Sequence, residues 1–476
     1  MGTFNLIKSR VRYAKRGYLI SAALLLTSLI SLLATRTYVN HPVTGDEPHY
    51  LLMDYSLIHD GDLNLRNNFL NKDYLRYYPA YIDPTLQVGS GQVSNNSSHW
   101  YSIHGIGLPL ILAPFVWLDG KDGAVFAMVI MSVVVIWLTY VWSKLITRSN
   151  KLGVISAASL LACYFFNGLA GYIYPDIPIA AMTLAALIIF EKHRTRHLYQ
   201  FWIGGILGIL VLLHFKSLAI AAPMIVAITY VLWKEKREIP WAVYFPFFVI
   251  ISLFFLFTHR WFGVWNPSQI YPSTVNLGAS PVHIVSALLF DSLRGLLIYN
   301  PILLVIFIGL PIWLARNKRS LLVTLFCLLP SIGLLSVFNQ WQGGDAPTGR
   351  YVLDFLPAFM PAVGLTVQEL KNSWQKAAII VLFLLTLSVS AYYTLTKQPY
   401  VRNETRSPMF ARLEERTGVP FDRLLPTFSN QTKILNPSSK ISVVGGYFAL
   451  LGLGIYGLSI VGKITKVQKS KQPRAY

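Results

Sequence analysis

Charge is what this chain has least of. Only 13% of its 476 residues are Asp, Glu, Lys or Arg, where a soluble chain carries about 25%. The shortage runs along the whole length and leaves no stretch polar enough for a separate soluble domain of ordinary size. There are two cysteines, Cys163 and Cys327, in apolar runs far apart. That excludes a disulfide framework and a Cys-based zinc motif, so both read as small packing residues. There is no His-Glu-x-x-His pattern, no internal repeat and no low-complexity tract. Acidic residues are scarcer still, 21 against 41 Lys and Arg, for a net charge of +20. The basic residues are scattered over short turns instead of gathered on one face, which excludes nucleic-acid binding. They read as topogenic charge and as attraction to anionic lipid.

Apolar sequence fills the space that charge leaves. Hydrophobic residues make up 54% of the chain and aromatics 14%, and runs of about 17–25 residues recur, each long enough to cross a bilayer as a helix. Backbone groups in lipid must bond internally, so the expected class is an all-α polytopic membrane protein. The first run, Gly17–Ala34, follows Lys8, Arg10, Arg12, Lys15 and Arg16. It is too long for a signal-peptide core and lacks a small-residue cleavage site after it, so it reads as a retained span with a cytoplasmic N-terminus. Later basic turns fall at 144–151, 191–197, 234–238, 316–319 and 371–376, and the tail from Lys463 to Arg474 is basic too. Two crossings fit between successive turns. The run Phe201–Trp233, for example, suits two short helices joined near His214-Phe215-Lys216-Ser217. The expectation is about twelve transmembrane helices with both ends inside. The stretch from Lys397 to Lys440 is placed outside despite its eight Lys and Arg, because long loops obey the charge rule less strictly.

The unusual residues fall at the outer ends of these spans. The first external loop, about 36–104, opens with His41-Pro42-Val43-Thr44-Gly45-Asp46-Glu47-Pro48, and two adjacent carboxylates at the mouth of a membrane crossing are costly unless water or a substrate meets them. Pro48 suits a first helical position with Asp46 or Glu47 near the cap. Leu51, Leu52, Tyr55 and Ile58 form an apolar face and Gly61 suits the stop, so the loop is expected to carry short amphipathic helices lying on the membrane. The Pro-broken run at about 105–118 reads as a surface or re-entrant helix, with the second true crossing at about 123–142. Asp176 between two prolines, Lys216, Arg260, Asp291 with Arg294, and the turn from Trp341 to Tyr351 all come to the same level. Such convergence makes a pocket where carboxylates meet cations.

On these residues the chain resembles the GT-C superfamily of membrane glycosyltransferases, in particular the branch of protein O-mannosyltransferases and lipid A aminoarabinose transferases. The resemblance rests on the basic N-terminus, one span, and the Asp46-Glu47 pair opening a long loop of surface helices. Asp176 before Pro178 and the pattern Arg294-Gly295-Leu296-Leu297-Ile298-Tyr299-Asn300-Pro301, then Trp341…Gly343-Gly344…Gly349-Arg350-Tyr351, strengthen it. It implies a sugar donor on polyprenyl phosphate and inverting transfer outside the cytoplasmic membrane. It also implies an acidic site residue of the first loop, carried here to Asp46, and a second at Asp176. One departure stands out. Where aminoarabinose transferases have a lysine before a Pro-Pro pair, this chain has His104-Gly105-Ile106-Gly107-Leu108-Pro109.

The chemistry fits independently. A carboxylate beside an acceptor hydroxyl is a general base, cations offset charge on a departing phosphate, and inversion needs only one base. The candidate catalytic pair is Asp46 and Glu47, each with a plainer reading as a helix cap or first-turn acid. Candidate substrate contacts are Asp176, Lys216, Arg294, Arg350, Tyr351 and His104. Asp176 also reads as a cap, Lys216 as an interfacial turn, Arg294 as the partner of Asp291, and Arg350 and His104 as interfacial residues. Eight of the ten histidines lie on the outer side, and Asp46, Glu47 and His49 offer ligands for a possible divalent metal. Expected partners are a polyprenyl-phosphate sugar donor, a glycan, lipid or protein acceptor, and membrane lipids. Sequons at Asn95, Asn96, Asn403 and Asn430 fall outside. The chain divides into a transmembrane catalytic module at 1–394, an external loop at 395–441, and a last helix with a basic cytoplasmic tail at 442–476. A transporter or flippase is the alternative, but it calls for midplane polar groups on broken helices. A scaffold has no use for Asp46-Glu47 and the cations.

Overall fold

The apolar runs fold into helices throughout. The structure, a computed structural model, describes residues 2–39, 42–43, 45–78, 93–95, 99–270, 281–337, 349–397, 407–428 and 439–470. His41, the sequons at Asn96, Asn403 and Asn430, and the Trp341–Thr348 part of the late motif lie outside the described residues.

In chain order the helices begin with α1 (Gly2–Val39), α2 (Glu47–His59) and α3 (Arg66–Leu70). A short antiparallel pair follows, β1 (Val93–Asn95) and β2 (Trp100–Ser102), with Ser94 opposite Tyr101. Then come α4 (Gly107–Thr147), α5 (Asn150–Ala162), α6 (Tyr164–Leu169), α7 (Asp176–His193), α8 (His197–Leu213), α9 (Leu218–Lys236) and α10 (Trp241–Phe262). The second half holds α11 (Pro281–Phe290), α12 (Leu296–Tyr299), α13 (Leu304–Arg316), α14 (Lys318–Leu335), α15 (Arg350–Leu353), α16 (Pro361–Glu369) and α17 (Ser373–Leu395). It ends with α18 (Pro408–Thr417), α19 (Phe421–Leu424) and α20 (Ser439–Ser470). Among the described residues seven helices are long and apolar enough to cross a membrane, and four shorter apolar helices accompany them. The chain is a multi-pass membrane protein.

Two breaks expected from the sequence occur. The run after Phe201 splits into α8 and α9 around the single 3-10 turn Phe215–Ser217. The Pro-broken segment and the crossing after it form one helix, α4, kinked at Asp119 and Gly120, where Gly120 takes φ +53°. The first loop carries the short helices expected there. Helix α2 is held tightly by the bundle. It packs against α4, and Glu47 through Asp54 are all buried. The helix-only reading of this loop also missed the β1–β2 pair.

Polar side chains form two layers at opposite helix ends. Helix α7 is about 27 Å long at 1.5 Å per residue, close to the thickness of a hydrocarbon core. Beyond its C-terminus Arg194 and Arg319 pair with Glu235, and Arg319 with Glu191, each at 2.9 Å. Its N-terminus begins with Asp176. Helices α8 and α9 share the geometry, turning at His214–Ser217 on the Asp176 side. Outward faces are apolar: Trp241, Phe245, Phe248 and Leu256 of α10 are exposed, as lipid contact requires.

Close approach of α8 and α10 depends on Gly204. A β-carbon there would collide with the carbonyl of Val243, the small-residue packing that helices in membranes use. Gly204→Leu is expected to destabilise the bundle by about 1–3 kcal/mol, read as a lower thermal midpoint in detergent. An unchanged midpoint would refute the contact.

Candidate active site

Four segments far apart in sequence meet at one end of the bundle. Asp46 precedes α2 at its N-cap, Asp176 opens α7, Lys216 sits in the turn between α8 and α9, and Arg350 opens α15. Each lies where a helix begins or turns, so each charged head stands at a helix end and outside the apolar interior.

The charges form an alternating chain. Arg350 NH2 donates to Asp46 Oδ2 at 2.7 Å, and its Nε donates to Asp176 Oδ2 at 3.0 Å. Lys216 Nζ donates to Asp176 Oδ1 at 2.5 Å and lies 3.1 Å from Asp354 Oδ2. Burial raises Asp354 to about 8 against the pull of Lys216, which leaves Asp46 and Asp176 as the ionised carboxylates opposite the two cations. Aromatic rings hold the cations flat: Arg350 lies 4.0 Å from the centre of Tyr174, and Lys216 4.4 Å from that of Tyr351. Such desolvated cation–π contacts stabilise by about 2 kcal/mol.

Exposure separates the members. The side chains of Asp176, Arg350 and Asp354 are 5% exposed or less, whereas Asp46 is 24% exposed. Asp46 is therefore the carboxylate that a second molecule can reach. Burial raises its pKa, but Arg350, helped by His104 and His49, outweighs burial and holds it well below the usual carboxylate range. Its side chain makes no capping bond to α2, so the plain cap reading of the sequence does not apply.

His49 and His104 flank it, their rings 5.2 Å apart, with Tyr50 5.1 Å from His104. Burial and the neighbouring His104 push His49 down to about 3 against the pull of Asp46, and burial lowers His104 as well. Both are neutral imidazoles at pH 7. An unfolded chain protonates histidine near pH 6.5, so the folded state binds fewer protons below that value. Stability from His49 is fully present above about pH 6.5 and declines as pH falls toward its folded value, by about 2 kcal/mol at pH 5. The thermal midpoint is expected to drop between pH 7 and pH 5, and His49→Phe is expected to flatten that drop. A midpoint rising on acidification would contradict the assignment.

Of the residues singled out from the sequence, Asp46, Asp176, Lys216, Arg350, Tyr351 and His104 come together here. Glu47 is buried, and its Oε1 accepts from the backbone N–H of Ile173 at 3.0 Å, pinning the loop that carries Tyr172 and Tyr174. Arg294 belongs to no ion pair of the cluster. It sits beside Asp291, as the plainer pairing reading held, where Asp291 Oδ1 accepts from Phe428 N at 3.0 Å. The sequence reading missed Asp354 and Tyr174, and had His49 only as a possible metal ligand. Asp354 carried one usable signal, a lone acid in the apolar run Val352–Pro357, four residues after Arg350, because an ionisable group in such a run marks a site. Among the described residues no group of three His, Cys, Asp or Glu side chains is arranged to hold a metal. Asp46, Glu47 and His49 are not grouped in that way.

No protein-family model and no curated protein matches the chain by sequence. Its structure is similar to that of ArnT from Cupriavidus metallidurans bound to undecaprenyl phosphate, with a TM-score of 0.53 and 14% identity over 94% of this chain and 77% of that one. The apo state of the same protein gives 0.53 and 16% over 94% and 78%. The apo Archaeoglobus fulgidus oligosaccharyltransferase gives 0.51 and 12% over 88% and 61%. The fold is the polytopic helical arrangement of these solved structures, as the resemblance implied.

Proposed function

We propose that this chain is an inverting glycosyltransferase that moves a sugar from a polyprenyl-phosphate carrier to an acceptor hydroxyl or other nucleophile. The observation that carries this reading is the accessible Asp46 carboxylate bonded to Arg350, itself one link in a buried row that runs through Asp176 and Lys216 to Asp354. In the resting protein both cations are committed to carboxylates. A carrier phosphate entering the site competes for Arg350 and Lys216 and draws them from Asp46 and Asp176. Asp46, released from Arg350, becomes a stronger base. It takes the acceptor proton as the acceptor oxygen bonds to the anomeric carbon and the bond to the carrier phosphate breaks. The leaving phosphate keeps the electron pair and is stabilised by the guanidinium and the ammonium. Neutral His49 and His104 orient acceptor or sugar hydroxyls without adding charge. Glu47 is assigned a positioning part through Ile173.

The test is transfer by the purified full-length chain from undecaprenyl-phosphate-linked hexoses and pentoses. Labelled product is expected with at least one donor, and failure of every donor to bind or react would overturn the proposal.

We place the site outside the cytoplasmic membrane, with both termini inside. Single cysteines at Asp60, in the first loop after α2, and at Thr195, in the turn after α7, test this, since both positions are exposed and the native Cys163 and Cys327 are buried. An impermeant thiol reagent added to intact cells is expected to label only the first, and labelling of only the second would invert the orientation.

A further inference from the structure

A second cation lies behind the site, and the chemistry above does not use it. Arg36 comes from the last turn of α1. Its side chain turns inward and does not reach toward water. It passes over Gly171, which takes φ +85°, and a β-carbon there would come within 2.9 Å of Arg36 Cδ. The missing side chain at 171 is what lets the arginine through. The guanidinium ends 5.5 Å from the centre of the Tyr172 ring. Tyr172 stacks on Tyr174 at 6.0 Å, and Tyr174 carries Arg350 on its other side. Two guanidiniums thus terminate one aromatic stack, one in the candidate active site and one beyond it.

Arg36 opens into a small, partly open cleft between α1, α6 and α17, lined by Arg36, Val39, Tyr164, Asn167, Tyr172 and Tyr393 among others. Among the buried polar atoms there, Arg36 Nη1 and Asn167 Oδ1 have no hydrogen-bond partner. A buried donor on a guanidinium left unpaired is costly, and such groups call for a missing ligand. The orphans are complementary: a cationic donor beside a neutral acceptor suits an oxyanion that also carries a hydroxyl or amine. The setting specifies the source. Helices α1 and α17 are candidate spans with only 11% and 17% of their apolar windows buried in the protein, so the cleft lies between two lipid-facing helices. Its cation stands near the end of a span, at the depth where bilayer phosphates lie.

We propose that the Arg36–Asn167 cleft is a second anion site, which seats the phosphate headgroup of a bilayer lipid between α1 and α17. Its phosphate oxygens accept from Arg36 Nη1, and a headgroup hydroxyl or amine donates to Asn167 Oδ1. The site is separate from the Lys216–Arg350 site and does not depend on the transferase reading.

Counting bound lipid by native mass spectrometry tests it. The full-length chain in non-ionic detergent is titrated with dioleoyl phosphatidate. The wild type is expected to retain one lipid more than Arg36→Gln, whose affinity at this position falls at least about tenfold. Arg36→Lys keeps the charge and retains the lipid at reduced affinity. Asn167→Asp adds a negative charge with the arginine in place and loses the lipid. Dioleoylglycerol, which lacks the phosphate, is not retained here. Undiminished occupancy in Arg36→Gln or in Asn167→Asp overturns the proposal, as does equal retention of dioleoylglycerol. Displacement of phosphatidate by an equal concentration of inorganic phosphate overturns the lipid assignment and leaves a site for free phosphate.

Discussion

Asp46→Asn is expected to lower turnover in glycosyl transfer by roughly a hundred- to ten-thousand-fold, the range that a positioned base contributes. The substitution is nearly isosteric. The amide oxygen still accepts from Arg350, so the bond that links the first loop to α15 survives. What disappears is the ability to take a proton once the carrier has drawn Arg350 away. The loss therefore falls on kcat, with KM for the carrier near its original value, because Lys216 and Arg350 remain in place to bind phosphate. Initial rates across a range of donor concentrations separate the two. Turnover within a few-fold of the wild type would remove Asp46 from its assigned part.

Arg350→Met is expected to be the most disruptive single change in the molecule. It deprives Asp46 and Asp176 of a shared partner, and Asp176 is fully buried. Breaking such a pair costs about 3–5 kcal/mol, because a charge is left without compensation. Arg350→Lys is not a mild alternative. The native guanidinium serves two carboxylates from two nitrogens at fixed geometry, whereas an ammonium is a single point charge. Adding Asp176→Asn to Arg350→Met removes the orphaned charge and is expected to restore much of the stability, leaving Lys216 with Asp354. Transfer stays absent in the double variant, since the phosphate contact is still missing. Thermal midpoints in detergent read the first effect and product formation the second. A single variant as stable as the wild type would mean that the buried row is not what fastens these segments together.

Much of this arrangement could be read before any coordinates, and the residues show why. A polar group inside an apolar run is conspicuous, so Lys216 marked both the helix break and the site. Asp46 and Asp176 stood out because prolines follow them at helix starts. The kink at Asp119 and Gly120 was legible as a gap between two runs. The failures have equally specific causes. Asp354 was passed over because interest ended with the motif at Tyr351. The burial of α2 was invisible because its buried residues include Glu47, His49 and Asp54, polar residues that a periodicity argument assigns to water. The docking of the late loop escaped for a similar reason. Ser292 N donates to Pro426 O at 2.6 Å, and Tyr299 Oη to Ser407 Oγ at 2.9 Å, pairings between residues with nothing in common but location.

The Asp46–Arg350 bond spans 304 positions of the chain, and the Asp176–Arg350 bond 174. A ribosome delivers the acids long before the base that neutralises them. Until α15 emerges, Asp176 has Lys216 alone, and Asp46 has only water or lipid headgroups for company. An unfinished bundle is therefore electrostatically unbalanced at the end that later becomes reactive, and the arrival of a single guanidinium late in synthesis closes the structure. Chains truncated before residue 349 are expected to insert their early helices and yet be cleared by quality-control proteases, because the charge that would lock those helices together has not been made.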